Sequence, residues 1–423
     1  MKNTMQCASF FSGIGGFELG FEQAGIKTVF QCEKDPFCIE ILKNHWPKTK
    51  KHFDINQLEA SLIPNTDIWC GGFPCQDVSV ARGWLGRDGL KGKNTGLFYP
   101  FVDLIKAKRP QIIIMENVSG LLNSHDGKDF AVILQSLTSL GYGVAWRILN
   151  TRYFGAPQSR PRVFICAWKG SPDNAYHVLF EEGNCKKPEK PREGFLRPTK
   201  CQFTGATVPE VAFCLAATSG RHTGTDWSRS YVTYQNEVRR LTPTECERIQ
   251  GLPVGWTKPD QNLKISKEKI DSLRYKAIGN AVSVPVVEWI GKRVEKKFYE
   301  ISPTVNTTSL GIERFAVSTP KLGSSGSSKI KLPKVTSHTD APKIKWASAG
   351  VLERNECIMG PVSQMPQNPI PSLLVNALDK ERPDLKYFLS PNAAKGILRR
   401  VNKQGRKLFH PLSEALYHLQ CQQ

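Results

Sequence analysis

Between residues 7 and 167, short apolar runs alternate with segments of helical periodicity, and this alternation leaves few folds open to the chain. Cys7–Phe10 reads as a strand that ends in Gly13-Ile14-Gly15-Gly16, after which Phe17, Leu19, Gly20 and Phe21 begin a helical pattern. Thr28–Cys32 is a second strand closing on Glu33, and Pro36–Trp46 is helical with Phe37, Ile41 and Leu42 on one stripe. Asp67–Gly71 and Gln111–Met115 read as strands, Phe98–Lys108 and Asp129–Leu140 as helices, and Val144–Leu149 and Val163–Ala167 as further strands. Strands spaced by helices predict an α/β fold with a mostly parallel sheet covered on both faces. Ligands of such sheets bind beyond the carboxyl ends of the strands. Those ends carry Gly13, Glu33, Phe73 to Cys75, and Glu116.

With 423 residues, two units are the default expectation. The formal net charge of +20 points to a polyanionic partner. No apolar run approaches the roughly 18 residues of a membrane span, and nothing near the start reads as a secretory signal, so no membrane partner and an intracellular setting are expected. The 12 cysteines include no CxxC pair, so no metal site is expected; Cys7, Cys70 and Cys166 read as reduced core residues.

Phe11-Ser12-Gly13-Ile14-Gly15-Gly16 permits a ligand to approach the backbone closely, with Gly13, Gly15 and Gly16 as the permissive positions. Glu33 is placed to accept ribose hydroxyls, Asp54 to receive an adenine amino group, and Ile55 to pack on its ring. Nothing supplies the extra donors of a pyrophosphate cradle, so an adenosine ligand without one is favoured. In the second pair of strand ends, Gly71-Gly72-Phe73-Pro74-Cys75-Gln76 bends a thiol out beyond its strand, and Glu116-Asn117-Val118 follows 41 positions after it. A thiol near pKa 8.5 needs only a modest shift to supply thiolate, and a carboxylic acid at the end of an apolar strand can donate a proton. The two together can attack and protonate opposite sides of one pyrimidine ring.

These motifs, in this order, resemble the DNA cytosine-5 methyltransferases of prokaryotes and bacteriophages over about residues 5–297. Gly13 to Gly16 resembles the first cofactor motif, and Phe11, Glu33, Asp54, Ile55, Leu97 and Asn280 match its cofactor-binding positions. Phe73-Pro74-Cys75-Gln76 resembles the nucleophile motif, Glu116-Asn117-Val118 the proton-donor motif, and Gln158-Ser159-Arg160-Pro161-Arg162 the family's QxRxR pattern. Arg239 to Pro253 and Gly279-Asn280-Ala281-Val282 complete the series. The resemblance implies a Rossmann-like methyltransferase fold with a smaller target-recognition domain. Its cofactor would be S-adenosylmethionine, released as S-adenosylhomocysteine, and its catalytic set Cys75, Glu116, Arg160 and Arg162. Duplex DNA with the target cytosine flipped out of the stack is the implied substrate. Gln76–Lys93 resembles the catalytic loop, with Ser79 and Arg82 as expected DNA contacts beside Gln158, Arg221 and Arg229.

The expected organisation is a catalytic and cofactor domain over 1–169, a target-recognition region over 170–236, and a recognition remainder returning to the catalytic domain over 237–300. A linker is expected over 301–350, followed by a basic extension over 351–423. Thr242-Pro243-Thr244-Glu245 has the chemistry of a helix start. Residues 301–423 hold 17 basic and 8 acidic side chains. This tail completes recognition, packs on the main domain, or adds phosphate affinity through Arg399, Arg400, Lys403, Arg406 and Lys407. A transfer RNA cytosine methyltransferase shares the motifs, but the ordinary Phe73 to Gln76 form, the sizeable insert over about 170–236 and the basic tail favour DNA. A DNA-binding module without catalysis is opposed by the intact Cys75, Glu116 and Arg162. A monomer on DNA, in a prokaryotic cytoplasm or phage-encoded, completes the expectation, with a cognate restriction endonuclease as a possible partner.

Overall fold

The computed structural model describes residues 4–73, 97–181, 196–220, 226–259, 266–301, 328–333, 343–353 and 355–422. The chain begins with β1 (Gln6–Phe10), α1 (Gly16–Gln23), β2 (Lys27–Cys32), α2 (Pro36–His45), β3 (Lys50–His52) and β4 (Ile68–Gly71). It continues with α3 (Phe98–Lys108), β5 (Ile112–Val118), α4 (Lys128–Ser139), β6 (Tyr142–Asn150), β7 (Pro161–Lys169) and α5 (Pro172–Leu179). Four short strands follow, β8 (Pro198–Lys200), β9 (Thr207–Pro209), β10 (Tyr231–Thr233) and β11 (Val238–Arg240). Then come α6 (Pro243–Gln250), α7 (Lys267–Asn280), α8 (Val284–Ile301), β12 (Ser328–Lys331), β13 (Ala349–Glu353), β14 (Glu356–Gly360), α9 (Pro391–Lys403) and α10 (His410–Gln420).

Ten strands form one sheet in the order β12-β14-β13-β6-β7-β5-β4-β1-β2-β3. β1 to β5 pair in parallel, whereas every pair from β5 through β7, β6 and β13 to β12 is antiparallel. Seven strands therefore run one way and β7, β13 and β12 the other. The apolar run of β5 is continuous because both its faces are covered: Ile113 and Met115 enter one core with α3 and α4, Ile112 and Ile114 another with α1, α5 and α8.

Two boundaries differ from expectation. Helix α5 packs on β6, β7 and α8, so the first part of the expected recognition region belongs to the main sheet. The smaller antiparallel sheet, β11-β10-β9-β8, begins only at Pro198. The expected linker over 301–350 holds β12 and the buried Ile344 and Trp346, and β13 pairs with β6. The physical reason is an open sheet edge: β6 presents unpaired backbone groups that a later strand must satisfy. The segment after β14 crosses to the small sheet, where Leu389, Ala394, Ile397, Leu398 and Val401 share a core with Tyr231, Val238 and residues of α10.

The start of α6 follows its sequence chemistry. Thr242 Oγ1 accepts from Glu245 N at 3.1 Å while the Glu245 carboxylate accepts from Thr242 N at 2.8 Å, a complete capping box with Pro243 in the first turn. What the sequence pattern did not carry is the second use of Glu245. Its two oxygens also take both Nη groups of the buried Arg239 at 2.8 Å. This bidentate pair fixes α6 to the small sheet.

Candidate active site

The carboxyl ends of four parallel strands meet because Phe10 is in register with both Cys32 and Gly71, and Gly71 with Met115. Beyond those ends lies a cavity of about 420 Å³. Ten of the expected site residues line it: Phe11, Gly13, Glu33, Asp54, Ile55, Leu97, Glu116, Arg160, Arg162 and Asn280.

On one side, Glu33 is held by three backbone amides, from Gly13 at 2.7 Å and from Lys34 and Asp35 at 2.8 Å each. The carboxylate is thereby fixed before any ligand arrives, with lone pairs left for hydroxyl donors. Asp54 accepts from Asn56 and pairs with Lys34 Nζ at 3.3 Å. Burial opposes the Asp54 charge, but the Asn56 and Lys34 donors outweigh it and hold its carboxyl below the ordinary value. Phe37, Ile55 and Leu97 give this half flat apolar walls. Phe11 takes φ 54°, a left-handed conformation uncommon for a bulky residue, at the rim of the cavity.

On the other side, Arg162 Nε stands 3.0 Å from Glu116 Oε1, an ion pair without hydrogen-bond alignment. Arg162 Nη2 also reaches Cys214 Sγ at 3.6 Å. Asn117 donates through Nδ2 to Phe73 O at 2.9 Å, tying the end of β5 to the residue that follows Gly72. Added bulk at Gly72 would press on this acid, since a Cβ there would lie 3.3 Å from Glu116 Oε2. Of the cysteines lining the cavity among the described residues, Cys32 is pushed up to about 12 by burial and by the Glu33 and Asp54 charges, and burial drives Cys38 higher still. Both stay protonated at neutral pH.

Other expected site residues stand elsewhere. Gly15 and Gly16 do not line the cavity: a Cβ on Gly15, at φ 87°, would lie 2.3 Å from the Trp46 ring, and one on Gly16 would lie 2.9 Å from Val282. Their smallness lets α1 pack. Gln158, expected at the DNA, is fully buried; it donates to Gln250 Oε1 at 2.6 Å and accepts from Leu215 N at 2.8 Å. Arg160 reaches the cavity wall but gives its terminal nitrogens to the carbonyls of Leu215, Gly279 and Ala281 at 2.8 to 3.0 Å. It ties the strand ends to the Leu215 segment and to the end of α7. Arg229 lines a smaller recess of about 80 Å³ with Cys214, Thr218, Ser219 and Tyr275. Cys75, Ser79, Arg82 and Arg221 lie outside the described residues. Phe37, Asn117, Cys214 and Lys276 were given no role of their own from the sequence; Phe37 stood in a helical stripe and Asn117 in the Glu116-Asn117-Val118 motif, while Cys214 and Lys276 gave no local signal.

Beneath the Phe11 to Gly16 turn, Glu18 is fully buried. Burial pushes its carboxyl up to about 7, although hydrogen bonds with Ser9, Ser12 and Gln31 oppose the shift. Below about pH 4.5 the acid is neutral folded or unfolded, and its contribution to stability is fully present; that contribution is lost as pH rises toward 7, where folding must keep a proton the unfolded chain releases. Glu18→Gln should therefore flatten the pH dependence of stability between 4.5 and 7 by about 3 kcal/mol. Urea midpoints at pH 5 and pH 8 measure this, and identical slopes for both proteins would refute it.

Among the described residues there is no cluster of three His, Cys, Asp or Glu side chains suited to a metal, and no helix long and apolar enough to cross a membrane. The family profile described as C-5 cytosine-specific DNA methylase matches residues 5–197 and 199–296. Type II methyltransferase M2.BsuMI of Bacillus subtilis (strain 168) is 32% identical over 314 residues, covering 70% of this chain and 77% of that protein. Type II methyltransferase M.NgoBI of Neisseria gonorrhoeae is 33% identical over 303 residues, covering 66% and 89% respectively. The crystal structure of the S. pombe Dnmt2 methyltransferase has a TM-score of 0.53 at 18% identity, covering 70% of this chain and 99% of that one. That likeness is one of fold.

Proposed function

The chain belongs to the C-5 cytosine-specific DNA methylase family, and from that premise we propose how its residues direct a methyl group from S-adenosylmethionine to C5 of cytosine in DNA. The observation that carries the reading is a single cavity with two chemically distinct halves. Glu33, Asp54, Phe37, Ile55 and Leu97 form one, and Glu116 with Arg162 the other.

The cofactor half fits an adenosine. Glu33, pinned by three amides, accepts ribose hydroxyls; Asp54 accepts the adenine amino group; Phe37, Ile55 and Leu97 bound the ring. When bound, S-adenosylmethionine supplies an electrophilic methyl group. Phe73, two residues before Cys75, lines the cavity beside Glu116. In the proposed mechanism the Cys75 thiolate adds to C6 of the cytosine while Glu116 protonates N3, which draws electron density from the ring and makes C6 attackable. Arg162 holds Glu116 in place. C5, now nucleophilic, gains the methyl group; loss of the C5 proton to a base then restores the 5,6 double bond and expels the thiolate, and N3 returns its proton to the Glu116 carboxylate. A stacked base cannot reach this cavity, so the target cytosine flips out of the duplex.

The four-stranded sheet with α6, α7, α9 and α10 forms the recognition unit in this reading, as the part that meets the cavity through Cys214, Leu215 and Gly279. Relatives named Type II methyltransferases support a role in a restriction-modification pair, with a cognate endonuclease as partner. The test is methylation of a long mixed-sequence duplex, followed by single-base mapping of 5-methylcytosine, with transfer RNA as a parallel substrate. One short motif methylated in duplex DNA is the expected result. Methylation confined to transfer RNA would overturn the reading.

A further inference from the structure

We propose that helix α9 and the turn after it form a docking surface for the phosphate backbone of duplex DNA, a role that rests on the substrate reading above. Ala394, Ile397, Leu398 and Val401 of α9 are buried against the small sheet and α10. Lys395, Arg399 and Lys403 follow one another at intervals of four on the opposite, exposed face, and Arg406 and Lys407 extend the row. Between residues 391 and 422 stand six cations and one carboxylate, Glu414.

A solvated helix face would alternate the signs of its charges, because like charges at i and i+4 destabilise a helix. Helix α8 in this same chain does so: Lys292 pairs with Glu288, and Lys296 and Lys297 with Glu300. No such carboxylate accompanies the α9 row among the described residues. An unrelieved row of cations at helical spacing is suited to a phosphate chain, whose charges recur every few ångströms.

The row is also held in place relative to the recognition unit. Arg400 turns away from it and gives Nε to the buried Asp226 at 2.8 Å, where Tyr231 Oη also donates at 3.1 Å. Arg406 stacks 4.5 Å over Trp227. Asp226 and Trp227 lie next to Ser228 and Arg229, which line the recess shared with Cys214, and Cys214 touches Arg162 in the cavity. The row is thus linked, through Asp226, Trp227 and the recess lined by Arg229 and Cys214, to the Arg162–Glu116 pair of the cavity.

The experiment uses the full chain. The variant Lys395→Gln/Arg399→Gln/Lys403→Gln/Lys407→Gln keeps the helix and removes four charges, and Lys292→Gln/Lys296→Gln serves as a control on α8. The dependence of log K on log salt for a duplex carrying the mapped site should become shallower by roughly 3 to 4 for the α9 variant and stay unchanged for the control. At low salt, methyl transfer by the α9 variant should keep its kcat and raise its KM. An unchanged slope, or equal changes in variant and control, would overturn the assignment. Wild type is assayed for transfer in the same preparations: no transfer to any duplex would defeat the substrate reading, whereas an active wild type with an unchanged variant slope defeats this inference alone.

Discussion

Replacing Cys75 by Ala is expected to lower single-turnover methyl transfer by at least about 10⁴-fold while leaving DNA affinity within a few-fold of wild type. The size of the loss follows from the chemistry. C5 of cytosine is a poor nucleophile until a group has added at C6, so without the thiol no step remains that activates the ring. Substitution from within the cavity is closed off, because Cys32 and Cys38 are kept protonated by burial and by neighbouring carboxylates. Two readouts check it: transfer of labelled methyl to a mapped site, and a covalent adduct with a duplex carrying 5-fluorocytosine there. Wild-type rates in the variant, or an adduct through another residue, would require a different nucleophile.

Glu116→Gln is expected to cost about 10² to 10⁴-fold in kcat with little change in DNA affinity. Glutamine keeps the size of the side chain and can offer an N–H toward N3, but it has no proton to give. It also removes the charge that Arg162 faces at 3.0 Å. To separate the two effects, Arg162→Gln is measured beside it. If Glu116 only anchors Arg162, the two variants will lose activity equally and the double variant no more than either; if Glu116 is the proton donor, its own loss will be the larger. A Glu116→Gln rate within threefold of wild type would remove it from the mechanism.

The parallel half of the sheet and the strand ends that line the cavity were legible in the sequence because their determinants are local. Thr28 to Cys32 has the pattern of a strand with a carboxylate just past its end, the edge at which ligands of parallel sheets bind. The same holds for Glu116 after the run Ile112 to Met115, whose side chains are shared between two cores. The capping chemistry of Thr242 to Glu245 likewise sits within four residues. Less legible were polar residues whose role depends on what arrives from a distance. Gln158 and Arg160 have the composition of substrate contacts, yet Gln250, Leu215, Gly279 and Ala281 claim their hydrogen bonds. Gly15 and Gly16 read as ligand-facing, and Trp46 and Val282 took that space instead.

The amino-acid order by itself determined the α/β class, the acid at each strand end and the family, since strand period, turn chemistry and motif spacing act over a few residues at a time. Only the tertiary structure decided that the tail is two things, strands that close the β6 edge and a helix pair that completes the small sheet. The physical reason is that an open strand edge and an apolar sheet face are satisfied by whichever segment reaches them, and the long stretch of intervening chain leaves no local trace of that choice.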